Sequence, residues 1–484
     1  MRHPTLALTV AGTSLLLGAC SAFAPPVPMP AAEPPPMQAP QAWQAPAAPR
    51  DAAQAALRDW FKQFNDPVLL ELIDAAQAAS PTVAAAASRI AQARASSVAA
   101  EALLLPAVNA NANGSTGRTD LTTPRAGFAT ANLQASWELD LFGANQAGRD
   151  AALARLRGTQ ATWYDVRIAV AAETAAGYNS LRACEALVVQ TEADTRSRAE
   201  TARVTELAAK AGLFAPASAA LARASAAQGR SLLAGQQMQC ELLFKSLVAL
   251  TGLDDARLRQ QLAPRQAQLP VPAGIAVQRV PAAALAQRPD LAAAEQQIIA
   301  AAQDTAQNQA LRYPRIGIAG SVGPAWLRVE SMSTSGTLWT LGPLQVSLPL
   351  FDGGTRVANV VAARARYDEA VSAYQGLVRN AVREVEAALI TLDASVQRVQ
   401  DTQVAIEGFE ASQKAADARF RGGLGSLFDL EDARRSSLVA HSALIELQRE
   451  QVAAWINLYR ALGGGWDRTQ DTATAAAAPV RVSQ

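Results

Sequence analysis

The sequence predicts a mainly α-helical fold with a membrane β-barrel portion, assembled from a helix, hairpin, helix, helix unit that occurs twice along 484 residues. Three observations support this prediction. Residues 129–141 alternate between apolar and polar side chains, which is the period of a β-strand. The segment 81–106 recurs at 289–314, with an offset of 208 at both ends (289 − 81 and 314 − 106). Two alanine-rich stretches without proline, 144–210 and 355–421, favour long helices.

The alternating segment is long for a strand of a soluble protein, where about six residues are usual, and it suits a strand tilted across a bilayer, which needs roughly 9 to 11. The side chains that we expect to face a water-filled lumen are Thr130, Asn132, Gln134, Ser136, Glu138 and Asp140. Those that we expect to face lipid are Leu133, Trp137, Leu139 and Leu141, with Leu344, Val346 and Leu348 in the second copy. A sandwich strand with one wet face remains the alternative at this point.

Residues 1–20 have the pattern of an export signal, with Arg2 and His3 followed by an apolar run. The run ends in Leu17-Gly18-Ala19-Cys20, which resembles a bacterial lipobox and implies lipidation of Cys20. Ser21 stands where an aspartate would indicate inner-membrane retention, so the resemblance implies the outer membrane. An ordinary signal peptide that contains a cysteine is the alternative. No later apolar run approaches the roughly 18 residues of a spanning helix, so strands would make any membrane crossing.

Composition shifts and repeats divide the chain into consecutive segments. We predict a signal peptide at 1–19, an anchor and Pro/Ala-rich tether at 20–50, a first repeat at 51–252, a connector at 253–274, a second repeat at 275–466 and a polar tail at 467–484. The predicted strands are 106–118 and 127–142 in the first repeat, and 314–328 and 338–351 in the second, with a turn-rich gap at 330–337 before the last.

Four strands are too few to close a membrane barrel, and an open sheet edge in lipid would leave backbone groups unpaired at several kcal/mol each. Other copies of the chain must therefore complete the sheet. Two copies would give an eight-stranded barrel filled by side chains, and three would give twelve strands around a water-filled lumen. We expect self-assembly in either case.

Several motifs in a fixed order resemble the TolC-like outer membrane efflux proteins of the OprM/NodT lipoprotein group. They are Phe64-Asn65-Asp66-Pro67, Leu105-Pro106, Trp137-Glu138-Leu139-Asp140-Leu141-Phe142-Gly143, Arg288-Pro289-Asp290, Tyr313-Pro314 and Leu458-Tyr459-Arg460-Ala461-Leu462-Gly463-Gly464. The resemblance covers residues 20 to about 466. It implies a homotrimer with a twelve-stranded β-barrel continued by a twelve-helix periplasmic α-barrel. It also implies an efflux duct in contact with outer membrane lipid, served by a periplasmic adaptor and an inner-membrane pump of the RND type.

A closed duct needs a gate, and the same resemblance places it at the second helix-hairpin turn. Phe428 and Asp432, four residues apart and so on one helix face, would lie on the ring that closes the aperture. Arg419 matches the family's basic residue that holds neighbouring helices together. The alternative is an exposed turn with ordinary charge pairs worth a few tenths of a kcal/mol.

The two remaining cysteines are equally far from a predicted helix-hairpin turn. Cys184 lies 28 residues before Gly212 (212 − 184), and Cys240 lies 28 after it (240 − 212). Two antiparallel helices that turn near Gly212 would hold both cysteines at the same height. Because the periplasm oxidises thiols, a disulfide between Cys184 and Cys240 is a candidate cross-link. Closing about 57 residues would stabilise by roughly 4 kcal/mol on the chain-entropy model. Two separate buried thiols are the alternative.

Catalysis, metal binding and nucleic-acid binding find no support in the sequence. The formal net charge is +1, and His441 is the one histidine beyond the signal peptide. No Cys-x-x-Cys, phosphate-binding glycine loop or Gly-x-Ser-x-Gly motif occurs, so we expect neither an enzyme nor a cofactor or metal. Alternatives to an efflux duct are a lipid-anchored helical scaffold and a type I secretion duct. The sequence leaves the cargo open.

Overall fold

A computed structural model describes residues 30, 31, 33–37, 57–118, 124–270 and 285–466. Cys20, most of the predicted tether, the end of the connector and the predicted tail lie outside these residues. The chain divides into two compact units. The first contains Met1–Pro35, Ala91–Gly158 and Ala294–Ala373, and the second contains Pro36–Ile90, Thr159–Ala293 and Tyr374–Gln484.

The first unit contains one antiparallel sheet of four strands in the order β1-β2-β3-β4. Their bounds are Ala107–Gly117 (β1), Ala126–Leu139 (β2), Arg315–Val329 (β3) and Met332–Ser347 (β4). The sheet therefore joins the hairpin of each repeat through the pair β2 and β3, in which Leu133 lies opposite Val322. The fold contains the two hairpins that the alternation predicts.

The strand ends differ from the predicted ones in three places. Asp140 and Leu141 lie beyond β2, and Leu348 lies beyond β4, so these three residues are not strand residues as predicted. Asp140 instead caps the following helix, because its carboxylate accepts hydrogen bonds from the amides of Asn145 (3.1 Å) and Gln146 (2.8 Å).

The predicted turn-rich gap at 330–337 is also wrong. Only Glu330 and Ser331 separate β3 from β4, and Met332 already pairs with Val329. Glu330 adopts a positive φ of 52°, which a two-residue hairpin turn requires. Serine and threonine in 332–337 resemble loop composition, yet they pair across the sheet because threonine tolerates the extended conformation well.

The described residues form eight α-helices and four strands, in the order expected of a duplicated unit. In chain order the helices are Pro67–Ala79 (α1), Pro81–Ala102 (α2), Ala144–Lys210 (α3), Pro216–Thr251 (α4), Asp255–Leu262 (α5), Pro289–Ala310 (α6), Thr355–Arg421 (α7) and Leu427–Ala461 (α8). Both α3 and α7 have 67 residues, and their bounds agree with the proline-free stretches of the sequence. A 3₁₀ helix, Leu57–Phe64, precedes α1, and another, Ala263–Arg265, follows α5.

The same capping arrangement starts both long helices. Asp352 accepts hydrogen bonds from the amides of Gly354 (3.0 Å) and Arg356 (3.1 Å) before α7, as Asp140 does before α3. A carboxylate at this position satisfies amides that have no partner within the helix and interacts favourably with the helix dipole. The Asp in each strand-to-helix junction thus caps the long helix that follows it.

An aromatic cluster anchors the start of the first repeat within the second unit. The Trp60 ring lies 6.1 Å from the Trp455 ring and 5.8 Å from the Tyr459 ring of α8, and Phe61 lies 4.7 Å from Tyr459. Burial of these large side chains is worth several kcal/mol on the scale of about 25 cal/mol per Å². None of the helices in the described part of the chain combines the length and the low charge that a membrane-spanning helix requires.

Candidate functional site: the two faces of the sheet and the turns of the helix hairpins

One face of the sheet carries polar contacts between all neighbouring strands, and its apolar side chains Phe128, Leu327 and Leu338 lie toward the end away from the helices. The Asn111 side chain donates to Gln134 Oε1 over 3.2 Å, between β1 and β2. Arg315 Nε donates to Glu138 Oε1 over 3.0 Å, between β3 and β2. The hydroxyls of Ser321 and Thr340 lie 2.9 Å apart, between β3 and β4. Of the residues predicted to face a lumen, Thr130, Asn132, Gln134, Ser136 and Glu138 share this face, because they alternate along β2.

The opposite face is apolar, and the register brings side chains of both repeats together on it. Trp137 lies opposite Ile318, which lies opposite Leu344, and Leu139 lies opposite Ile316, which lies opposite Val346. Large apolar side chains on this face are exposed, including Leu133, Leu344 and Val346. The residues predicted to face lipid that lie within strands therefore form one continuous surface.

Two edges of the described sheet are open. β1 pairs with β2 alone and β4 pairs with β3 alone, so each has a row of backbone amides and carbonyls that no described strand covers. Such edges are templates for pairing with another strand. The described sheet of one chain therefore has two edge strands, β1 and β4, with which further strands could pair.

The turns of the two helix hairpins meet in an apolar cluster of the second unit. Phe420, Leu427 and Leu430 of α7 and α8 are buried together with Ala202, Ala222, Ala226 and Ala416. Phe214, in the turn between α3 and α4, stacks on Phe420 with ring centroids 5.8 Å apart. Ser426 caps α8 in a capping box with Asp429. This packing holds the turn between α7 and α8 in place, and it therefore fixes the positions of the side chains on that turn that stay exposed.

The three predicted gate residues lie at this turn and are exposed. Arg419 is in the last turn of α7, while Phe428 and Asp432 are one turn apart on the outer face of α8. Among the described residues, the cation near Asp432 is Arg435 at 4.0 Å, and no ion pair joins Asp432 to Arg419 within one chain. Their role in a gate stays a prediction, because it depends on neighbouring copies.

A buried charged network next to the turn was missed by the sequence reasoning. Arg198 of α3 donates to Asp194 (2.7 Å) and to Glu431 of α8 (3.1 Å), and Glu431 also accepts from Ser225 of α4 over 2.6 Å. Arg434 donates to Glu431 over 2.6 Å and to Thr201 Oγ1 over 3.1 Å. These groups are almost fully buried. The network joins three helices from both repeats.

Helical spacing was the one sequence signal for this network. Asp194 and Arg198 are four residues apart, and Glu431 and Arg434 are three apart, as in many surface pairs. These four side chains are buried because helices that are distant in sequence pack against one another, and spacing along one helix does not reveal such contacts. Gly229 on α4 permits this contact, because a Cβ there would lie 3.0 Å from Arg198 Cδ.

Cys184 of α3 and Cys240 of α4 are joined by a disulfide with their Cα atoms 5.6 Å apart. The two helices are therefore antiparallel and close at this height. The second hairpin has no cysteines; nearer its turn, His441 Nε2 of α8 lies 2.9 Å from Glu410 Oε1 of α7.

A second polar cluster lies where α6 begins. Arg288 donates to Asp290 (2.7 Å), to Glu384 (2.8 Å) and to the carbonyl of Ala461 (2.9 Å). Burial raises the pKa of the Asp165 carboxyl nearby; the charges of Asp290 and Glu384 raise it further, while Arg460 and Arg288 oppose them. Burial also raises the pKa of Tyr459 to about 12. Within the described residues, no cluster of His, Cys, Asp and Glu is arranged to hold a metal ion.

Comparison with known proteins decides the family. A family model described as outer membrane efflux protein matches residues 72–253 and 280–464. This chain belongs to the outer membrane efflux protein family. Both matched segments contain one strand hairpin and the helices around it, so the family model detects the same duplication as the sequence and the structure.

Named relatives in the outer membrane efflux protein family cover nearly the whole chain. Outer membrane protein OprJ of Pseudomonas aeruginosa is 31% identical over 96% of this chain and 97% of its own. The solvent efflux pump outer membrane protein SrpC of Pseudomonas putida is 29% identical over 94% of this chain and 98% of its own. The crystal structure of outer membrane protein VceC from Vibrio cholerae superposes with a TM-score of 0.74 at 25% identity, covering 85% of this chain and 100% of that one.

These comparisons confirm the predicted family, the mainly helical fold with a β portion and the function in efflux across the outer membrane. The family is one of outer membrane efflux proteins. The named relatives are outer membrane proteins.

Proposed function

We propose that this protein is the outer membrane duct of a tripartite efflux pump, conducting small toxic compounds passively from a periplasmic adaptor and an inner-membrane pump of the RND type to the exterior. The observation that carries the proposal is the four-stranded sheet with one polar face, one exposed apolar face and two open edges. A sheet of this kind is stable in lipid only as part of a closed wall.

Three copies would satisfy both open edges. β1 of one copy would pair with β4 of the next, and twelve strands would enclose a lumen lined by the polar face. The two long helices and two return helices of each copy would supply a twelve-helix periplasmic barrel. Arg419, Phe428 and Asp432 would then approach the symmetry axis and form the gate.

Lipid anchoring completes the proposal. Removal of a signal peptide at 1–19 would leave Cys20 as the first residue, lipidated and linked to the body by the tether at 20–50. A single acyl anchor holds a protein to a membrane only weakly, and a second membrane-binding element makes attachment stable. In this protein the acylated Cys20 would be the first element and the membrane-spanning strands the second. A cargo of toxic solvents is supported by the relative SrpC, which is named a solvent efflux pump outer membrane protein.

Fractionation and deletion test the function directly. We expect a heat-modifiable trimer in the outer membrane fraction, and hypersensitivity to antibiotics or solvents when the gene is deleted. The same strain complemented with a Cys20→Ser variant separates anchoring from conduction. A soluble monomer after removal of the lipid, together with unchanged sensitivity in the deletion strain, would contradict the proposal.

A further inference from the structure

The end of the sheet away from the helices carries three exposed arginines. Helices join the strands at one end of the sheet, since α2 precedes β1 and α3 follows β2, so the turns lie at the other end. Arg118 directly follows β1, Arg125 directly precedes β2 and Arg328 is the second-last residue of β3. All three side chains belong to exposed residues.

The strand register places these arginines on one face. Gly117 pairs with Ala126, so the next positions outward, Arg118 and Arg125, lie opposite each other. Arg328 pairs with Gly127, which is two residues from Arg125 and therefore on the same face. Odd positions of β2 form the apolar face that contains Leu133 and Trp137. The arginines thus continue the apolar face beyond its last large apolar side chain.

The transition from apolar to cationic is ordered along this face. Trp326 pairs with Ala129 on the same face, and its ring lies over Gly127, where an added Cβ would be 3.4 Å from the ring. Arg328 follows two residues later. An aromatic ring at the boundary of an apolar band, with cationic side chains beyond it, is typical of the interface between hydrocarbon and headgroups.

The charge at this end of the sheet is unbalanced. None of the three guanidinium groups forms an ion pair with a described carboxylate; Arg328 Nε donates to the backbone carbonyl of Glu330 over 3.3 Å. The sequence supplies two carboxylates here, Glu330 and Asp120, the latter outside the described residues, against three arginines. Guanidinium groups match phosphate oxygens with paired hydrogen bonds.

We propose that Arg118, Arg125 and Arg328 form a binding surface for the phosphate groups of the phosphorylated glycolipid in the outer leaflet of the outer membrane. The inference rests on the proposed function, which makes the apolar face the lipid-facing wall and the turn end the exterior end. The surface would fix the height of the barrel in the membrane and surround it with firmly held anionic lipid.

Titration of the purified full-length protein with fluorescent diphosphoryl lipid A tests the surface. The test variant carries Arg118→Gln, Arg125→Gln and Arg328→Gln. The matched control carries Arg196→Gln, Arg203→Gln and Arg421→Gln, which change the net charge equally at exposed pairs of the helix hairpins. Each arginine near an anionic lipid surface is worth about fivefold in binding, so the loss of three should weaken lipid binding by the test variant roughly a hundredfold. The control should bind like the unmodified protein.

Two further lipids complete the test. Dephosphorylated lipid A should bind the unmodified protein as weakly as the test variant binds the phosphorylated form. The proposal would be overturned if both triple variants bound lipid A equally weakly, or if the test variant bound it as tightly as the unmodified protein. It would also be overturned if the test variant lost as much affinity for phosphatidylglycerol as for lipid A. Single-channel conductance of the same samples separates this proposal from the proposed function. A test variant that conducts ions and still binds lipid A like the unmodified protein would contradict the arginine surface and leave the proposed duct intact.

Discussion

At the scale of single residues, the burial of an ion pair decides how much the loss of one partner lowers the free energy of unfolding. Arg198 and Glu431 lie in a buried network between helices, whereas Arg449 and Glu446 form a pair over 2.7 Å on the exposed surface of α8. Removing one partner of a buried pair leaves an uncompensated charge, and removing an exposed one changes little.

We therefore expect Glu431→Ala to destabilise the helical unit by about 3 kcal/mol or more, since Arg198 and Arg434 would both lose their anion. Glu446→Ala is the matched control and should cost less than about 1 kcal/mol. Thermal unfolding of the two purified variants, followed by helical circular dichroism, measures the difference. Equal midpoints would show that the network contributes nothing to stability.

The gate residues give a prediction about conduction. Three copies of Asp432 near a common axis repel one another, and Arg419 of neighbouring helices would offset that repulsion. Arg419→Ala or Asp432→Ala should then raise ion leakage through the purified protein in planar bilayers. Asp401→Ala, an exposed carboxylate on α7 farther from the turn, is the control. If both gate variants conduct like the unmodified protein, these residues are not the gate.

Asp165 gives a prediction about pH. Its folded-state pKa is raised, so the folded state holds this proton more tightly than the unfolded state; the stabilisation is present at low pH and is lost as the pH rises through the folded pKa. Asp165→Asn should therefore stabilise relative to the unmodified protein at neutral pH, with the advantage shrinking toward acid. Asp74→Asn, at an exposed site on α1, should show no such trend. Unfolding midpoints measured from acid to neutral pH test this prediction.

At the scale of elements, the sequence predicted what local pattern determines and missed what distant contacts determine. Both 67-residue helices end where glycine follows, at Gly212 and Gly422, and their starts follow the capping aspartates. The start of β4 was missed, because residues 332–337 have the composition of a loop and become a strand only through pairing with β3. The buried network was missed for the same reason, since its members come from three helices.

The disulfide between α3 and α4 is a prediction at this scale. A non-reduced digest should contain a linked pair of peptides that include Cys184 and Cys240, and reduction should separate them. On the chain-entropy model, closing a loop with a sequence separation of 56 residues stabilises by about 4 kcal/mol, so the Cys184→Ser/Cys240→Ser variant should unfold at lower temperature. Two free thiols in the native protein would refute the cross-link.

At the scale of the whole molecule, the open sheet is the feature that demands assembly. A single chain exposes an apolar face and leaves backbone groups of β1 and β4 without strand partners in the described sheet. Both costs are removed together when copies pair edge to edge in lipid, and the polar face then surrounds water.

The most direct measurement is a cryo-microscopy reconstruction of the full-length protein purified from outer membranes. The proposed trimeric duct requires three copies around one axis, with β1 of each copy paired to β4 of the next and with Thr130, Asn132 and Gln134 facing the lumen. A single copy whose sheet is shielded from lipid, or a ring with the apolar face turned toward the axis, would contradict it.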